Sequence, residues 1–115
     1  MIGLPPAVRV FFALEPCDMR KSFDGLFLLA RDVLRQDPMS GHLFVFRSKS
    51  GRRLKILYWD RTGLCVWYKR LERSRFRLPV AQDGNHIELT SSDLGLLLEG
   101  VDLEKTERHP TFRLS

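Results

Sequence analysis

The sequence predicts a single α+β domain: an antiparallel sheet of about five strands, one long helix packed on a face, and a short C-terminal helix. Three observations carry that expectation. Residues 43–46 (LFVF), 54–59 (LKILYW) and 64–68 (LCVWY) are apolar runs rich in Val, Ile and aromatics, separated by short polar connections that carry glycine, as in an antiparallel meander. Phe23, Leu26, Phe27, Ala30, Val33 and Leu34 recur at helical spacing and form one apolar stripe. Residues 91–99 follow Thr90, with Asp93 three positions on, which resembles a capping box with Asp in place of Glu.

The elements follow in chain order. Residues 1–6 end in Pro5 and Pro6 and read as a weakly held leader. Residues 8–14 (VRVFFAL) are strand-like, with Val8, Val10 and Phe12 on one face and Arg9, Phe11 and Ala13 on the other. Asp18 or Ser22 is placed to cap the helix, and Asp37-Pro38 ends it by Gln36. Gly51 and Gly63 are expected to supply the permissive backbone of the two meander turns. Residues 76–80 read as a further strand, pushed toward a sheet edge by Pro79. Residues 86–89 (HIEL) form a short strand, Gly100 stops the last helix, and residues 103–115 read as a weakly held tail. The meander strands are apolar on both faces, so the second face needs cover from the C-terminal helix, another chain or a partner protein.

Composition narrows the function. At 115 residues, 43% hydrophobic and 29% charged, the chain is of ordinary globular type, and one domain, 1–115, is expected. The net charge is +5, but it is unevenly spread. Residues 47–77 hold eleven basic residues against Asp60 and Glu72, so the remainder of the chain is net negative. A concentrated basic segment in a chain of pI near 9.7 favours a polyanionic partner. A membrane is disfavoured, because no apolar run approaches the roughly 20 residues of a spanning helix, and no signal peptide is read at the N-terminus.

Catalytic patterns are missing. There is no G-x-S-x-G, GxxxxGK[ST] or GxGxxG. His42, His86 and His109 lie apart, and Cys17 and Cys65 are isolated, so no metal site is expected and the cysteines read as free thiols in a reducing cytoplasm. Asp18, Asp24 and Asp60 would have to gather to support metal-dependent phosphodiester chemistry. Their contexts suit a cap, a helix first turn and a turn instead. Neither catalytic residues nor a cofactor is expected.

Binding chemistry is present. Arg47, Lys49, Arg52, Arg53, Lys55, Lys69, Arg70, Arg73 and Arg75 fall on strand ends and turns, where they can contact phosphate and release counterions. Arg20 and Lys21 stand at the start of the long helix and could add to them. Tyr58, Trp59, Trp67 and Tyr68 are interleaved and could stack on unpaired bases, although in so apolar a meander most of them should be core.

Asp18-Met19-Arg20-Lys21-Ser22-Phe23-Asp24-Gly25-Leu26, Ser40-Gly41-His42-Leu43-Phe44-Val45-Phe46-Arg47, Lys55-Ile56-Leu57-Tyr58-Trp59-Asp60, and Lys69-Arg70-Leu71-Glu72 with Arg75-Phe76 together resemble one family. It is the Orf2-like accessory protein, often called TnpB, of the sixty-six family of bacterial insertion sequences. The resemblance runs from about Val8 to about Asp102. Cys17 stands where a threonine is common, and Leu78 and Leu103 where tryptophans are common. The resemblance implies a small cytoplasmic, non-enzymatic accessory protein for transposition, partnered with the element's transposase and with DNA, most naturally the element ends, and open to homo-oligomer formation. The alternative is a protein–protein adaptor that docks on the transposase without binding DNA itself.

Overall fold

The computed structural model describes residues 7–77 and 84–100. The leader 1–6, the tail 103–115 and residues 78–80 of the strand expected at 76–80 lie outside them. The element order is β1 (Val10–Ala13), α1 (Phe23–Leu28, continued as a π-helical turn over Leu29–Val33), β2 (Leu43–Arg47), β3 (Arg53–Trp59), β4 (Leu64–Arg70), β5 (His86–Leu89) and α2 (Ser91–Leu98).

The five strands form one sheet in the order β4-β3-β2-β1-β5. The meander is antiparallel as expected: Phe44 pairs with Leu57, and Lys55 with Tyr68. The sheet as a whole is mixed, which corrects the antiparallel expectation. β1 runs parallel to β2, with Val10 opposite Leu43, and antiparallel to β5, with Val10 also opposite Leu89. The cause is the connection between β1 and β2. It contains α1, and a helical crossover returns the chain to the same end of the sheet, so the next strand runs parallel.

Both faces of the sheet are covered from within the chain. Val10, Phe12, Val45, Leu54, Ile56 and Ile87 pack with Leu94 and Leu97 of α2 on one face. Phe11, Ala13, Phe44, Phe46 and Leu57 pack with Leu26, Ala30 and Leu34 on the other. The C-terminal helix therefore supplies the cover that the two-sided meander requires. β1 is buried at every position, as a strand with neighbours on both edges and helices on both faces should be.

The first helix is shorter than a single long α-helix. Its α-helical part is six residues and its π-helical part five. Leu34 N–H donates to Leu29 O at 3.0 Å, an i to i+5 bond that widens the turn. Leu26, Ala30 and Leu34 consequently stay on the core side, while Phe23 is 48% and Val33 40% exposed. Ser22 occupies the N-cap position without a side-chain cap bond, and Asp24 lies in the first turn. Arg35 then takes a left-handed φ of 56° and ends the helix.

Two glycine expectations divide. Gly51 has φ 78°, as the first meander turn requires. In the second turn it is Arg61, at φ 83°, that takes the left-handed conformation rather than Gly63. Asp60 makes this tolerable, since its Oδ1 accepts from Thr62 N–H, Thr62 Oγ1 and Gly63 N–H at 3.0–3.1 Å. Residues 75–77 are not a strand.

The capping box at α2 is complete: Asp93 N–H donates to Thr90 Oγ1 at 3.0 Å, and Thr90 N–H to Asp93 Oδ2 at 3.4 Å. Gly100, φ 84°, closes the other end with its N–H on Leu97 O at 2.9 Å. Thr90→Ala should lower stability by about 1 kcal/mol and the melting temperature by roughly 4 °C, read by thermal circular dichroism. An unchanged melt would show that the cap contributes nothing to α2.

Candidate nucleic-acid interface

Ser48, Ser50 and their hydroxyls build the turn between β2 and β3. Ser48 N–H donates to Arg53 O at 2.9 Å, Gly51 N–H to Ser48 O at 2.9 Å, and Arg53 N–H to Ser48 Oγ at 3.0 Å. With the polar backbone satisfied internally, Lys49 and Arg52 point to solvent. The chain leaving β4 folds back onto this turn. Leu71 N–H donates to Arg52 O at 2.8 Å, and Phe76 N–H to Gly51 O at 2.7 Å. A Cβ on Gly51 would meet Arg75 Cβ at 3.4 Å, an ordinary contact, so it is the left-handed φ of 78° that calls for glycine here. Phe76 is fully buried in the cluster with Leu54, Leu94 and Leu97, and it anchors the segment.

One end of the sheet is thereby lined with cations. Lys49, Arg52, Arg53, Arg70, Arg73, Arg75 and Arg77 are all exposed there, and Arg53 and Arg70 are cross-strand partners. Glu72 opposes them and pairs with Arg70 at 2.9 Å. Arg47 is half-buried at the base of the group; its Nη1 lies 3.5 Å from Phe76 O, and its Nε has no partner. Of the nine residues expected from the sequence to contact phosphate, Arg47, Lys49, Arg52, Arg53, Arg70, Arg73 and Arg75 are brought together. Arg77 joins them, and its place in the basic run was the signal for it.

Lys55 and Lys69 are turned inward. Lys55 is 7% exposed and donates at 2.7 Å to both Met19 O and Lys21 O, with its ammonium 4.7 Å from the centroid of the Tyr68 ring. Lys69 donates to Leu98 O at 2.6 Å, where a cation suits the carbonyl end of α2. Both lysines hold neighbouring elements in place. Arg61 lies in the turn at the opposite end of the β3–β4 hairpin.

The three aspartates considered for metal chemistry lie in separate local settings. Arg20 forms a forked pair with Asp18, 2.7 Å at its closest, and holds that carboxyl down to about 2. Asp24 sits in the first turn of α1. Hydrogen bonds from Thr62, backbone first, lower the Asp60 carboxyl. Among the described residues no group of three His, Cys, Asp or Glu is placed to hold a metal ion, and no helix is long and apolar enough to cross a membrane. Cys17 and Cys65 are free thiols; burial raises the Cys17 thiol. A cavity of about 160 Å³ beside Cys17 is lined mainly by Ala13, Leu29, Val33, Leu34 and Phe46 and offers no set of converging polar groups.

The aromatics divide as well. Tyr58 and Trp67 pack against the core and Trp59 is half-buried, but Tyr68 is 47% exposed.

Comparison with known proteins gives a consistent assignment. A family model described as IS66 Orf2 like protein matches residues 8–108. Uncharacterized protein y4jC of Sinorhizobium fredii is 35% identical over 113 residues, covering 98% of this chain and 96% of that protein. Uncharacterized protein y4hO of the same organism is 43% identical over 103 residues, covering 90% and 85%. No solved structure matches.

Proposed function

Because the chain belongs to the IS66 Orf2-like family, accessory proteins of insertion-sequence transposition, we propose that it assists its transposase by binding DNA without catalysing a reaction. The supporting observation is the group of exposed cations at one end of the sheet, set by the Gly51 turn and the buried Phe76. Lys49, Arg52, Arg53, Arg70, Arg73 and Arg75 contact phosphate, with Arg47 at the base and Arg77 at the margin. Lys55 and Lys69 support this surface from beneath. The DNA is that of the element ends, and the transposase is the protein partner.

Fluorescence anisotropy of the full chain against a terminal-repeat duplex and a scrambled duplex, across a salt series, tests the proposal. Each neutralised phosphate contributes about −0.9 to the slope of log affinity against log salt, so five or six contacts give a slope near −5. Arg53→Glu should weaken binding roughly tenfold and flatten that slope. Absence of binding at low salt would overturn the proposal.

The second reading, an adaptor that docks on the transposase without touching DNA, has a narrower basis than the sequence suggested. The sheet faces are occupied by the chain's own helices. Among the described residues the exposed large apolar side chains include Phe23, Leu28 and Val33 on α1 and its π-helical turn, Met39 and Leu96, and the first three are the surface this reading would use. Co-purification with transposase that is lost in Phe23→Ser and Leu28→Ser, by a chain that binds neither duplex, would establish that reading.

A further inference from the structure

Tyr68 is held as a flat, fixed surface between two sets of cations. The buried Lys55 ammonium lies against one ring face, 4.7 Å from the centroid, and is itself fixed by Met19 O and Lys21 O. Arg53 Nη1 donates to the Tyr68 hydroxyl at 3.1 Å. The buried lysine takes one face of the ring, and the residue is still 47% open to solvent. An exposed tyrosine with no such ties would move among rotamers; this one has its orientation set from below and from its tip.

The surroundings are cationic in both directions. Arg53 and Arg70 lie one pleat along the same face of the sheet, since Lys55 is opposite Tyr68 and Arg53 opposite Arg70. The turn whose carbonyls Lys55 holds meets the same ammonium, and its Lys21 side chain, which runs beside Gly25, is exposed. Arg20 on that turn is already paired with Asp18, so Lys21 carries the free charge there.

We infer that this surface binds single-stranded DNA, with one unpaired base stacked on the outer face of Tyr68. The flanking phosphates run from Arg53 on one side, with Arg70 and its partner Glu72 next to it, to Lys21 on the other. The inference rests on the DNA-binding reading above and adds the form of the ligand. A duplex buries its base faces in its own stack, whereas an unpaired strand offers them. Stacking on a protein aromatic tolerates any base, because every base has a π-face. Cations on both sides of the ring select a polyanion over an apolar protein surface. An accessory factor with this surface would engage strand ends or melted segments during transposition, in addition to the duplex.

The test is anisotropy of the full chain with labelled oligo-dT and with a blunt duplex of equal length, at one low salt concentration. Tyr68→Leu should weaken oligo-dT binding about tenfold and duplex binding less than twofold. Tyr68→Phe, which keeps the ring and loses only the hydroxyl, should stay close to the parent chain. Thermal melts of both variants separate loss of stacking from loss of fold, and Tyr68→Trp serves as a second stacking variant if Tyr68→Leu does not fold. Equal effects of Tyr68→Leu on the two ligands, or none on either, would overturn the inference. A parent chain that binds the duplex but not oligo-dT would overturn it while leaving the DNA-binding reading intact. A chain that binds neither would remove both.

Discussion

Phe76→Ala should destabilise the domain by about 3 kcal/mol and weaken DNA binding although it removes no charge. The ring is fully buried, and truncating a buried Phe costs about 3–5 kcal/mol in lost transfer free energy and cavity formation. For a domain of this size that lowers the melting temperature by roughly 12 °C. Phe76 belongs to no strand, so its packing and its one backbone bond to Gly51 O secure the segment that carries Arg73, Arg75 and Arg77. Loosening it spreads those cations over many positions, and binding must then repay the entropy of ordering them. Thermal melts and anisotropy on the same samples check both halves. A melt lowered by under 4 °C, or unchanged affinity below the melt, would show that the segment is held by other contacts. Arg53→Glu is the counterpart, expected to reduce affinity with the melting temperature nearly unchanged.

Lys55→Met should cost about 2 kcal/mol, roughly 8 °C of melting temperature, and leave the salt dependence of duplex binding as it was. Two charge-assisted hydrogen bonds are lost, and Met19 O and Lys21 O lose their donor. The magnitude stays moderate because methionine fills the same space and the desolvation cost of a buried ammonium disappears with it. The turn before α1 should then open more readily, so amides of residues 19–22 should exchange faster in hydrogen-exchange measurements. A flattened salt slope would instead place the Lys55 ammonium on phosphate.

Much of the domain was legible because its signals are local. Alternation assigned Val10 and Phe12 to one face and Phe11 and Ala13 to the other, as found, and Thr90 with Asp93 marked the start of α2. The failures came from interactions that leave no local trace. The parallel pairing of β1 with β2 depends on where the chain returns after α1, which strand periodicity does not encode. Val33 continued the helical stripe on a 3.6-residue period, but the π-helical turn rotates it outward. Lys55 read as a surface cation because its partners are backbone carbonyls of a distant turn, which any sequence possesses. The grouping of Arg52, Arg53, Arg73 and Arg75 was visible as a run of charge. Its assembly at one end of the sheet required Phe76 and Gly51, two residues with no charge.

The position of β1 between β2 and β5 also governs the order in which the molecule can be made. The β2–β3–β4 hairpins join near neighbours in the chain and can close early, whereas β1 meets β5 only across most of the sequence. Such long-range closure slows folding. While a ribosome is still adding residues beyond β4, the nascent chain must carry β1 with one edge open and the α2-facing side of the sheet bare. A stalled or prematurely terminated product would stay in that state, with Val10, Phe12 and Ile56 exposed to other chains. Cover for that face comes from residues near the end of the described chain, so a product that lacks α2 lacks the partner of Val10, Phe12 and Ile56.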